Sequence, residues 1–245
     1  MMGCVRVRRP RARVGTVVPT RPSRVGRRRG ERGAVAVEAA LVTPLVLLML
    51  IGMVEFSFAL RDYVSVSSAV RTGIRTATTN SALVSGNGSC ESASPALPVP
   101  PPCSPTDTPA FAQLAAAAIQ QTGTAMPKDS IDYVFVYKAN DKGYPGPNGT
   151  TTMPSSIADC AASTTPCVAY VWQDSRDRFR YAGGSWTANT INACPTTADT
   201  VGVYMHATHK FVSRLFGASL ALGDRAVMRF EPLPSTICGP DVRAQ

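Results

Sequence analysis

The sequence has 245 residues, which allows one large domain or a membrane anchor joined to a domain of ordinary size. Its formal net charge of +9 is typical of nucleic-acid-binding proteins, but residues 1–33 contain eleven arginines and one acid, Glu31. The rest of the chain carries 14 basic and 15 acidic side chains. Because no basic stripe interleaved with aromatics appears there, the composition argues against a nucleic-acid partner.

An apolar run follows this arginine-rich segment. Residues 39–54 contain no charged side chain, and the run extended to residue 60 corresponds to about 33 Å of helix, enough to cross a hydrocarbon core of about 30 Å. A basic flank keeps the adjacent end of a membrane helix in the cytoplasm. We therefore predict a single-pass protein of the cell membrane, with a disordered cytoplasmic tail or leader over residues 1–33 and an extracytoplasmic C-terminal domain.

The predicted helix continues beyond the membrane, so that a transmembrane and juxtamembrane helix spans residues 34–79. Apolar and small residues recur there at spacings of three and four, which predicts an amphipathic helix that packs on its own domain. This stripe consists of Leu60, Tyr63, Ser67, Val70, Ile74 and Ala77. A linker or insertion rich in Ser, Gly and Pro follows at residues 80–109.

Residues 110–245 predict an outer α+β domain with one or two short helices and a mostly antiparallel sheet. Thr108 and Pro109 are typical of a helix start, and Gly123 is typical of a helix end. Strand-like runs follow at residues 130–137, 167–173, 200–211 and 224–232. The stretch 210–217 is consistent with one or two helical turns between the last two strands.

The sequence contains no motif for a catalytic site. His206 and His209 are the only histidines, and their spacing in a predicted strand places them on opposite faces, which disfavours a shared metal. Glu38 and Glu55 lie about 25 Å apart along a helix, too far to act on one substrate. We predict no enzyme, no metal, no cofactor and no small-molecule substrate.

Six of the seven cysteines follow the apolar run, and only Cys4 precedes it. An oxidising compartment would let those six pair while Cys4 stays a free thiol. Six cysteines permit fifteen connectivities, so the sequence does not select one. Pairing of neighbours is our working prediction, and it gives Cys90–Cys103, Cys160–Cys167 and Cys194–Cys238.

Glu38 is an ionisable residue at the start of the apolar helix, and two interpretations of it remain open. If the chain were cut after Gly33, the new amino group of Ala34 could pair with Glu38 of a neighbouring subunit and align such helices side by side. Alternatively, Glu38 interacts favourably with the dipole of its own helix and needs no partner.

The spacing of Gly33, Glu38 and Pro44 resembles the type IV prepilin-like leader. More closely, residues 33–77 resemble the TadE-like family of tight-adherence (Flp-type) pilus assembly proteins, and residues 201–232 are similar to the terminal strands of actinobacterial members. Ala39 stands where members commonly have an aromatic residue. The matching motif positions are Gly33, Val37, Glu38, Pro44, Gly52, Glu55, Phe56, Ala69, Arg71, Gly73 and Arg75.

The resemblance implies a pseudopilin-like component that supports assembly of a tight-adherence pilus or a related secretion system. It implies cleavage between Gly33 and Ala34 by a membrane prepilin peptidase, for which the chain is a substrate. Expected partners are other pilin-like or Tad membrane components, with Glu38, Pro44 and Glu55 serving helix packing or processing. Two alternatives stay open: a single-pass anchor with an extracellular binding domain, and a secreted protein cleaved after Ala59.

Overall fold

The computed structural model describes residues 29–80, 108–121, 126–187 and 190–233. The chain divides into two compact units, residues 1–47 and 48–245. Most of the predicted tail and of the predicted linker lie outside the described residues. The same is true of Cys90, Cys103 and Cys238, so the predicted pairs that involve them stay predictions.

One long helix, α1, extends from Arg29 to Thr79 and contains Pro44. The Thr43 hydroxyl donates to the Ala39 carbonyl at 2.6 Å, next to the position where Pro44 has no backbone donor. Large apolar side chains between residues 35 and 54 are 39–75% exposed. This helix is long and apolar enough to cross a membrane, as the sequence predicts.

In the second unit, one face of α1 is buried, and it belongs to the main core from Val66 onward. The buried stripe consists of Ala59, Val66, Ala69, Val70, Gly73, Ile74 and Ala77. The predicted amphipathic face is therefore correct at its C-terminal end. It is wrong for Leu60 and Tyr63, which are 48% and 45% exposed, because the stripe passes through Ala59 and Val66 instead.

The globular part of the second unit is a five-stranded antiparallel sheet with short helices, which confirms the predicted α+β class. The spatial order is β3-β2-β1-β4-β5, so a three-stranded meander lies beside a long hairpin. The helices are α2 (Ala110–Gln121) and α3 (Ile157–Ala161). The strands are β1 (Ile131–Lys138), β2 (Cys167–Gln173), β3 (Arg178–Ser185), β4 (Thr200–Lys210) and β5 (Ser219–Arg229).

Two apolar cores lie on opposite faces of this sheet because successive strand residues point to opposite sides. The larger core joins α1 and α2 to the sheet, and Phe111 contacts Trp186 and Phe230 edge to face with ring centroids 5.2 and 5.1 Å apart. The smaller core contains Phe135 and the cysteines of α3 and β2. The C-terminal half of the long helix is therefore part of the folded domain.

Two sequence predictions about the strands need correction. The sequence predicts a turn-rich stretch at residues 181–190, which contains Gly183 and Gly184, but strand β3 extends from Arg178 to Ser185. Gly184 has φ +81°, and a Cβ there would overlap the carbonyl oxygen of Cys167 on the neighbouring strand. Glycine thus permits a close approach between two strands at this point instead of ending one of them.

The second correction concerns residues 210–217, which were expected to form helical turns. Lys210 ends β4, and residues 211–218 form a loop that the Phe211 N–H closes by donating to the Ala218 carbonyl at 3.2 Å. Strand β5 begins at Ser219, five residues before the predicted start. The paired register of β4 and β5 continues to this loop and stabilises the longer strand.

Candidate functional site

The loop between β4 and β5, residues 211–218, lies against α1 at Gly52. The Phe216 ring contacts this glycine, and a Cβ added there would be 3.1 Å from Phe216 Cζ. A larger side chain would displace the ring, since 3.1 Å is shorter than ordinary van der Waals separation. Gly52 therefore allows the loop to approach the helix closely.

One helical turn later, Glu55 binds the same loop through its carboxylate. Oε2 accepts a hydrogen bond from the Val212 N–H at 3.2 Å, and Oε1 accepts one from the Ser213 N–H. Glu55 is only 4% exposed. Buried backbone donors without an acceptor are costly, so the Glu55 carboxylate stabilises the loop by accepting from these two N–H groups.

Asp62 makes a second polar contact between α1 and the hairpin. Its Oδ2 lies 2.6 Å from Nδ1 of His209 on β4, and the two side chains are 14% and 7% exposed. The ring of His209 also contacts Phe211 edge to face, with centroids 5.1 Å apart. Since Glu55 and Asp62 are seven positions apart, they lie on one face of α1 and together fix the hairpin against it.

An open cleft of about 460 Å³ lies beside the Asp62–His209 pair. Its walls come from α1, from the segment before β1 and from the end of β4. Apolar side chains such as Phe58 and Met126 alternate there with polar ones such as Asp129 and Lys210. Within the described ranges, no group of three His, Cys, Asp or Glu residues could hold a metal ion.

Further along α1, Gly73 sets the distance to α2. A Cβ at Gly73 would be 2.9 Å from both Cγ1 and Cδ1 of Ile119 and 3.3 Å from the Ala115 carbonyl oxygen. Ala115 of α2 faces Gly73 and is fully buried, as are Ala112 and Ala116. The two helices thus pack closely because small residues meet at their contact.

These contacts fall within a stretch that a comparison with protein families recognises. Residues 33–75 match the family model described as TadE-like protein. The chain carries a TadE-like segment. Members of this family are structural pilus components, and the family is not an enzyme family. Neither a curated protein nor a solved structure matches the chain.

The TadE-like segment divides into two groups of motif positions. Gly52, Glu55, Ala69 and Gly73 contact the loop, the core or α2 of the same chain. The other motif positions are exposed to solvent in the structure. They are Gly33, Val37, Glu38, Pro44, Phe56, Arg71 and Arg75.

The structure places the predicted processing residues at the exposed beginning of α1. Gly33 and Ala34 both lie within the helix, and a Cβ at Gly33 would meet no described atom within 4 Å. Glu38 is exposed, and Pro44 lies farther along the same helix. Glu38 and Glu55 are 17 positions apart in the sequence of α1.

His206 lies on the opposite face of the sheet from His209, as the strand spacing predicts. Nδ1 of His206 is 2.8 Å from Oδ2 of Asp132, and the Thr208 hydroxyl donates to the same oxygen at 2.7 Å. Tyr133 stacks on His206 with centroids 4.9 Å apart. Burial, followed by the neighbouring Tyr204 hydroxyl and the Asp132 carboxylate, raises the pKa of Tyr133 to about 12.

The structure contains the predicted Cys160–Cys167 disulfide, which ties α3 to the start of β2. Cys194 is disulfide-bonded as well. Both residues of the first bridge are 1% exposed and belong to the smaller core. The bridge therefore holds the short α3 helix on the sheet.

Sequence reasoning missed the partners of Glu55 and Asp62. An isolated acid at the end of an apolar run indicates a required contact, but the contacting loop lies about 150 residues later and its N–H donors belong to the backbone. The apolar residues in the stretch 211–216 are the sequence feature that could have indicated this contact. An exposed hairpin loop with Phe, Val and Leu is unusual and indicates a surface that needs cover.

Proposed function

We propose that the protein is a membrane-anchored, pseudopilin-like component that supports assembly of a tight-adherence (Flp-type) pilus or a related secretion system. The match of residues 33–75 to the TadE-like family carries this proposal. The exposed apolar side chains of α1 support it, because a surface of this kind needs lipid or other helices around it. Partners would be other pilin-like or Tad membrane components.

The proposed topology places the N-terminus in the cytoplasm and the globular part outside the membrane. Eleven arginines precede the apolar helix, and positive flanks favour the cytoplasmic side. The Cys160–Cys167 disulfide supports an oxidising location for the sheet. Residues 34–79 would form the transmembrane and juxtamembrane helix, and residues 110–245 the extracytoplasmic domain.

We further propose that a prepilin peptidase cuts between Gly33 and Ala34. An exposed glycine supports access of the enzyme to this bond. Co-expression with a prepilin peptidase tests this step, because cleavage removes the leader and lowers the mass of the membrane-bound chain. Gly33→Leu should abolish the mass change, whereas Gly52→Ala should retain it, since Gly52 contacts Phe216 of the same chain.

The two acids of α1 have separable roles in this proposal. Glu38 is exposed and is available to pair with a neighbouring subunit, while Glu55 is buried against Val212 and Ser213. Glu38→Ala should reduce incorporation into the assembly and leave the stability of the globular part unchanged. Glu55→Ala should loosen the hairpin loop and leave cleavage unchanged. Wild-type incorporation of Glu38→Ala would contradict pairing between the amine of Ala34 and Glu38.

The secreted alternative requires a cut after Ala59. That cut would separate Gly52 and Glu55 from the loop that they contact, and it would divide a helix that belongs to the core from Val66 onward. These contacts favour retention of the whole helix. An uncut chain in the membrane would instead support the plain anchor without processing.

A further inference from the structure

The β4–β5 hairpin exposes an apolar patch beside α1. The patch, named here the hairpin tip, consists of Val212, Leu215, Phe216 and Leu220, which are 82%, 56%, 52% and 43% exposed. In the described part of the chain, Met228 is the one other large apolar side chain outside α1 with comparable exposure. The exposed apolar surface of the globular part is therefore concentrated at this loop.

The contact between Phe216 and Gly52 fixes the level of the hairpin tip along α1. Gly52 precedes Arg61 by nine residues, which is about 13 Å of helix on the apolar side of that charge. At the same level Met53, Val54 and Phe56 are 55–65% exposed. The tip and the helix thus form one continuous apolar surface.

The backbone of the loop is partly satisfied by acceptors of the same chain. Four of its N–H groups have acceptors within the chain. Val212 and Ser213 donate to Glu55, Phe211 donates to the Ala218 carbonyl, and Leu215 donates to the Ser213 hydroxyl at 3.3 Å. Irregular backbone tolerates apolar surroundings only when its polar groups are satisfied internally.

From these observations we propose that the hairpin tip inserts into the outer leaflet of the membrane beside α1. The inference rests on the membrane location of α1 in the proposed function. Lys210 is exposed at the end of β4, and Arg214 is exposed within the loop. Their long side chains reach lipid phosphates while the apolar residues enter the acyl chains. The hairpin then fixes the orientation of the globular part on the membrane surface.

Depth-dependent fluorescence quenching tests this insertion on the full-length chain in liposomes. Leu215→Trp places a reporter in the tip, and Val212→Trp provides a second one. Val54→Trp reports on α1 at a position 55% exposed, and Met228→Trp reports on an exposed residue outside the tip. The wild-type chain gives the background from Trp172 and Trp186. The quencher is phosphatidylcholine with bromine atoms high on its acyl chains.

Insertion predicts that Leu215→Trp and Val212→Trp lose emission to a similar extent as Val54→Trp, while Met228→Trp stays near background. Quenching of Val54→Trp without quenching of either tip reporter would overturn the inference and leave the membrane anchor intact. Absence of quenching at Val54→Trp would overturn the membrane location of α1 and with it the inference.

Discussion

The carboxylate of Glu55 in α1 accepts a hydrogen bond from the backbone N–H of Ser213, a residue 158 positions later in the chain. Together with the Asp62–His209 contact, it joins the C-terminal half of the long helix to the β4–β5 end of the sheet. The helix is therefore a structural element of the domain as well as a candidate membrane span. Any displacement of α1 acts directly on the β4–β5 hairpin.

Removing the Glu55 carboxylate should open the β4–β5 loop. In Glu55→Ala the N–H groups of Val212 and Ser213 lose their acceptor, so their amide hydrogens should exchange faster than in the wild-type chain. Glu55→Gln retains one acceptor oxygen and should give an intermediate rate. Hydrogen exchange measured by mass spectrometry on peptides covering residues 211–218 checks the order, and equal rates in all three chains would contradict it.

Adding a methyl group at Gly73 should separate α1 from α2. Gly73→Ala gains helix propensity but forces Ile119 and the Ala115 carbonyl to move, so we expect a loss of about 1–2 kcal/mol in the free energy of unfolding. Urea unfolding in detergent, followed by the fluorescence of Trp172 and Trp186, measures the change.

Ile119→Val supplies the control for this substitution, because it removes Cδ1 from the crowded contact. The double variant Gly73→Ala/Ile119→Val should lose less stability than the sum of the two single losses, since the residues are in contact. Simple additivity of the two changes would show that Gly73 does not set the distance between the helices.

The two histidine–aspartate pairs should contribute unequally to stability. His209–Asp62 is 7% and 14% exposed, whereas His206–Asp132 is 26% and 39% exposed at a similar distance. Double-mutant cycles with Asp→Asn and His→Gln should give a coupling above about 1 kcal/mol for the first pair. The second pair should give less than about 1 kcal/mol, because solvent screens it. The reverse order would contradict the role given to Asp62.

The Cys160–Cys167 bridge should stabilise the position of α3. The bond closes a short loop with a sequence separation of 7, so the double variant Cys160→Ala/Cys167→Ala should lose roughly 2–3 kcal/mol. Thermal unfolding measures this loss, and Cys4→Ala, at a cysteine that the sequence predicts to be a free thiol, serves as the control. A double variant that unfolds at the wild-type temperature would argue against a structural bridge.

The sequence predicted the elements whose pattern is local. The long apolar run of α1, the alanine-rich α2 and the strands β1, β2 and β4 follow from composition and periodicity. Strand β3 was missed because a pair of glycines indicates a turn. Glycine is required at position 184 because the Cys167 carbonyl of the neighbouring strand lies close to it, and that contact is not visible in the sequence.

Of the contacts in the candidate site, the sequence could predict the residues of α1 but not their partners in the β4–β5 loop. Glu55 and Gly52 stand out as an acid and a glycine at the end of an apolar helix, and their resemblance to the TadE-like pattern adds weight. Their partners are a backbone loop and a phenylalanine far away in the sequence, and no periodicity connects them. Non-local contacts of this kind depend on the register of β4 and β5, which the sequence does not state.

The measurement that tests the central proposal most directly is the N-terminal residue of the mature chain, isolated from membranes of cells that contain a prepilin peptidase. Processing as proposed predicts a chain that begins at Ala34 and retains α1, with Glu38 as its fifth residue. A chain that keeps residues 1–33 in such cells, or one that begins at Leu60, would contradict the account.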